Sequence, residues 1–60
     1  MLSDVACFTI RADEERSAAM NAAHPLARQK HFELATSYQH RADAIVAVGR
    51  ALVGAEVLAA

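Results

Sequence analysis

The sequence offers little to punctuate it: two glycines, one proline and no tryptophan in 60 residues. So few turn signals exclude a fold built from many short strands, and an all-α fold is the default for a chain in which one residue in four is alanine, the best helix former. The lone Cys7 excludes an internal disulfide and fits a reducing compartment. Charge of one sign is missing too. Six Lys and Arg against seven Asp and Glu leave a formal net charge of −1, which is no electrostatic footprint for a nucleic acid or an anionic membrane. The first residues, Met1-Leu2-Ser3-Asp4-Val5-Ala6-Cys7, have neither the positive nor the apolar stretch of a secretory signal. The chain is therefore expected to stay in the cytoplasm. Its length admits one small domain and excludes a multidomain enzyme.

Eighteen larger apolar side chains stand beside fifteen alanines. That is a thin core for 60 residues, and it favours burying surface against another chain. His24-Pro25 is the one strong break, because proline disfavours helical geometry in the residue before it and suits the first position of a helix. Thr9 followed by Asp13-Glu14-Glu15 reads as a helix start, a hydroxyl cap and then carboxylates where the macrodipole favours them. Helix 1 is expected over residues 10–23, with residues 1–9 as an arm, either extended or an early helical turn. Helix 2 is expected over residues 25–58.

In helix 2, His31, Ala35, Tyr38, Ala42, Ile45, Gly49 and Leu52 are spaced alternately by four and three, a heptad seam that Ala27, Leu34, Val48 and Ala55 widen on one flank. A helix of that length spans about 50 Å against about 21 Å for helix 1, so the short arm cannot cover the long one. Gly49 and Gly54 are the only residues that would break helix 2 near its end. The overhang is also the most apolar part of the chain. From Ala44 onward only Arg50 and Glu56 are charged, and Ala47, Ala51, Ala55 and Ala59 recur every fourth residue. A membrane span needs about 20 mostly apolar residues, whereas the longest uncharged run in this tail is Ala44 to Gly49. Burial against a second copy is the better reading.

The residues that carry chemistry elsewhere are sparse here. His24, His31, His40 and Asp43 are the candidate metal ligands. His40 and Asp43 share a helix face at i, i+3, but a mononuclear site needs three or four ligands, which only two chains together would supply. The plainer reading makes His31 a hydrogen-bonded residue at the hairpin contact and His40-Asp43 a surface pair. Cys7, among Val5, Ala6 and Phe8, reads as a small buried hydrophobe, and Ser17 and Ser37 show no spacing to a base. Residues 4–16 carry a net −2 and residues 24–41 a net +2. An antiparallel hairpin turning at residue 24 brings Glu14 and Glu15 within reach of His31, in pairs that set orientation more than stability. Tyr38 sits mid-seam, a core aromatic with a polar tip.

The segment from Ala22 to Ala42, with His24-Pro25, Arg28, His31, Leu34-Ala35, Tyr38 and Arg41-Ala42, resembles a pattern in short uncharacterised bacterial proteins of the alphaproteobacterial type. It covers about a third of the chain. The resemblance implies a bacterial cytosolic helical hairpin and no mechanism; His24 departs from it, since a small capping residue such as Ser is expected there. The whole sequence thus predicts an all-α two-helix hairpin that self-associates into a bundle, most simply a dimer, through Tyr38, Ala42, Ile45, Val48, Gly49, Leu52 and Ala55. The expected role is a non-enzymatic structural or protein-interaction module without cofactor, with no nucleic-acid or membrane partner. The alternative is a small metal- or ligand-binding bundle using histidines from two chains.

Overall fold

The computed structural model describes the backbone of residues 3–59 and the side chains of residues 3–54. Two helices account for nearly all of it: α1 over Asp4–Asn21 and α2 over Pro25–Ala59. They form an antiparallel all-α hairpin 55 Å long and only 23 by 10 Å across, measured on Cα atoms.

The helix ends follow from local hydrogen bonding. Ser3, in extended geometry, is the N-cap of α1, and its Oγ accepts from the Ala6 N–H at 3.1 Å. Helix 1 therefore starts six residues before the expected Ile10, and the described part of the expected arm is helical from Asp4. Thr9 is not a cap; its hydroxyl donates to the Val5 carbonyl at 2.8 Å, one turn back inside the helix. The Asp13-Glu14-Glu15 run lies mid-helix, where Arg16 donates to Asp13 at 2.7 Å and Arg11 to Glu14 at 3.4 Å, both i, i+3. At the other end Ala22 turns out of the helix with φ −73° and ψ 127°. The expected boundary at residue 23 moves back to Asn21.

Helix α2 opens at Pro25 and runs unbroken through Gly49 and Gly54. Neither glycine adopts positive φ, and a Cβ on either meets nothing within 4 Å, so each is an ordinary helical residue with open space beside it.

Among the described residues four alanines make the fully buried core: Ala12 and Ala19 from α1, Ala35 and Ala42 from α2, each 0–2% exposed. Each pair is spaced by seven residues, so each returns to the same face every second turn. A methyl group lets the two backbones approach closely, but burying one contributes only about 0.8 kcal/mol. Among the described residues no large side chain is fully buried. The hairpin is held by close backbone contact and by pairs across the seam rather than by a thick core.

Candidate interaction surface

The cross-helix pairs fix the register. Phe8 stacks on Tyr38, with ring centroids 6.2 Å apart and planes at 27°. Glu15 meets His31, Oε2 to Nδ1, at 2.6 Å. In both pairs the residue numbers sum to 46. Arg41 places its guanidinium carbon 5.7 Å from both the Phe8 and Tyr38 ring centroids, and Arg11 lies 5.5 Å from that of Tyr38. These cations cap the aromatic pair on its wet side. Tyr38, with smaller help from Glu14 and Glu15, raises the Arg11 pKa above its ordinary value. On the flank, Arg16 Nη2 donates to Gln39 Oε1 at 3.2 Å, and Gln39 Nε2 donates to Asp43 Oδ1 at 3.1 Å.

Among the described residues the expected charge complementarity between the arms is used at one point, Glu15 with His31. The α1 arginines spend their donors on their own helix and on Gln39.

The three histidines sit in three different settings. His24 is the cap of α2: its Nδ1 accepts from the Leu26 N–H at 3.2 Å and its carbonyl from the Arg28 N–H at 3.0 Å. His31 is half-buried at the seam on Glu15. His40 is exposed, and Asp43, its expected partner, accepts instead from Gln39. Among the described residues no three His, Cys, Asp or Glu side chains come together as a metal cage would require. Cys7 is exposed, not the buried hydrophobe expected from its neighbours, because Val5, Phe8 and Ala12 take the inward face of α1 and residue 7 falls outside it. A hollow of about 590 Å³ is lined by Pro25, Arg28, Gln29, Phe32, Glu33 and Thr36. All six lie on one face of α2, so it is an open surface depression without a second wall. Its polar groups are satisfied locally: Gln29 donates to Glu33, and Thr36 to the Phe32 carbonyl.

What stands out is the unpartnered half of α2. In the observed register Asp4, the first residue of α1, reaches residue 42, and α2 continues to Ala59. Seventeen residues of helix, about 26 Å, lie beyond the end of α1. Exposure rises along it: Ile45 and Val46 are 38% and 37% exposed, while Val48, Leu52 and Val53 reach 60%, 63% and 60%. Of the expected interface residues, Tyr38 and Ala42 are already taken up by α1 of the same chain. Ile45, Val48, Gly49 and Leu52 lie on the free segment, and the Ala55 side chain lies outside the described residues. Among the described residues no helix is long and apolar enough to cross a membrane.

No family model matches this chain, nor does any curated protein or solved structure.

Proposed function

We propose that the chain is a cytoplasmic, non-enzymatic helical module that works by self-association, most simply as a dimer, and serves a structural or protein-interaction role. The carrying observation is the free C-terminal half of α2, whose Val48, Leu52 and Val53 are each at least 60% exposed. A free helix of about 17 residues is marginal in water, since its stability comes mainly from packing an apolar face. This segment has such a face and, among the described residues, nothing from its own chain to lay it on. The face is long and narrow, which suits another helix and offers no concave site for a small molecule. Sedimentation equilibrium tests the reading. A concentration-dependent mass is expected, together with a Tm that rises with protein concentration. A folded monomer at every concentration measured rejects it.

A further inference from the structure

We propose that the turn of the hairpin is acid-sensitive: His24 caps α2 only while its imidazole is neutral, so a proton on this residue weakens the junction between the two helices.

The cap itself sets the dependence. His24 Nδ1 accepts from the Leu26 N–H at 3.2 Å. A ring nitrogen accepts through a free lone pair, so the bond needs the neutral tautomer with its hydrogen on Nε2. The imidazolium donates at both nitrogens and accepts at neither. A serine or asparagine oxygen in the same place stays an acceptor across the range from about pH 5 to 8 in which histidine ordinarily changes charge.

The surroundings work in the same direction. The first turn of α2 has no acidic residue, and the last turn of α1, Ala18-Ala19-Met20-Asn21, has no titratable side chain. Arg28, one turn into α2, is the charged neighbour, and its guanidinium reaches back across the junction to the Ala22 carbonyl at 3.3 Å. Glu15 and Glu33 are engaged elsewhere, by His31 and by Gln29. Among the described residues no carboxylate comes within 4 Å of the His24 ring. A proton on His24 therefore puts a positive charge at the positive end of the α2 dipole, beside another cation and without a counter-charge.

Little else ties the turn. Pro25 has no N–H, and the backbone bonds at the junction run from the Ala22 N–H to the Ala19 carbonyl at 3.2 Å and from the Arg28 N–H to the His24 carbonyl at 3.0 Å. In the unfolded chain the imidazole takes a proton without giving up a cap. By linkage the hairpin loses stability as the pH falls through the histidine range and regains it as the pH rises. The other two imidazoles do not share this response. His31 faces the Glu15 carboxylate at 2.6 Å and loses no bond on protonation, and the exposed His40 caps no helix.

Three chains compared at one protein concentration isolate the effect. The wild type, His24→Ser and His24→Asn are unfolded in urea at pH 8 and at pH 5. All three carry His31, His40 and every carboxylate, so those contributions cancel in the ratio of folding constants. At pH 8 the three should be alike. At pH 5 the folding constant of the wild type should fall about fivefold relative to either variant, the loss of one cap. A wild type that keeps pace with both variants at pH 5, or gains on them, overturns the proposal. So does a fall relative to one variant and not the other, because both replacements keep an acceptor that no proton removes.

Discussion

At His24 an imidazole serves where a serine or aspartate is usual. Its Nδ1 takes the Leu26 N–H, one of the free donors at the start of α2, and Pro25 removes another by having no N–H. The sequence departure at this residue is thus a cap of unusual type, invisible to a reading that looks for hydroxyls and short carboxyls. His24→Ala should destabilise the hairpin by about 1 kcal/mol in a urea titration at fixed protein concentration, and His24→Ser should recover it, since serine supplies an equivalent acceptor. Across the turn Arg28 Nη2 donates to the Ala22 carbonyl at 3.3 Å, tying the end of α1 to the start of α2. The pair at the seam behaves differently. Glu15 is only 16% exposed while His31 is 37% exposed, so removing the imidazole leaves the carboxylate poorly hydrated. His31→Leu should therefore cost about 1–2 kcal/mol, and the double variant His31→Leu/Glu15→Leu less than His31→Leu alone, because the stranded acceptor is then gone.

How much of each helix was legible depended on which signal dominated its ends. For α2 the alternation of four and three from His31 to Leu52, opened by His24-Pro25, gave the element nearly to its limits, and the glycines did not interrupt it. For α1 the acidic run drew the start to Thr9, while the real cap, Ser3 followed by Asp4, had only one acidic residue to mark it. Glu14 and Glu15 facing His31 followed from the hairpin register alone, and Glu15 is the one that makes the contact. Ala12 and Ala19 escaped notice because alanine is compatible with any face of a helix; only the close approach of α2 shows which of fifteen matter. That closeness makes them intolerant of size. Ala19→Leu should cost about 1–3 kcal/mol, as the larger side chain must push the helices apart or leave its rotamer, readable as a lowered Tm with helical circular dichroism retained at low temperature. Gly54→Ala has the opposite sign. A Cβ there meets open space, so the variant should gain about 1 kcal/mol of α2 stability and raise the helical signal.

The molecule as a whole is a rod with two unlike halves, one a hairpin whose seam is closed by alanines, the other a single apolar helix whose seam is open. Two substitutions on the same continuous seam should therefore have separable effects. Ala42 is 2% exposed beneath the first turn of α1, so Ala42→Asp places a carboxylate between two helices of one chain and should unfold the hairpin at any concentration. Leu52 is 63% exposed and lies ten residues past the level of Asp4. In a lone chain Leu52→Asp costs little more than the difference in helix propensity, about 0.5 kcal/mol, because the carboxylate stays in water. In an assembly closed over this segment the same carboxylate is left unpaired in an apolar contact, at a cost of several kcal/mol. Leu52→Asp should accordingly yield a monomer that keeps the α1 to α2 contacts, visible as protected amides over residues 12–42, with the concentration dependence of Tm abolished. Lys30→Ala, on the exposed face of the closed half, should change neither mass nor melting. If Leu52→Asp leaves the mass of the assembly unchanged, association runs through another face, and the exposed leucine and valines of α2 need a different explanation.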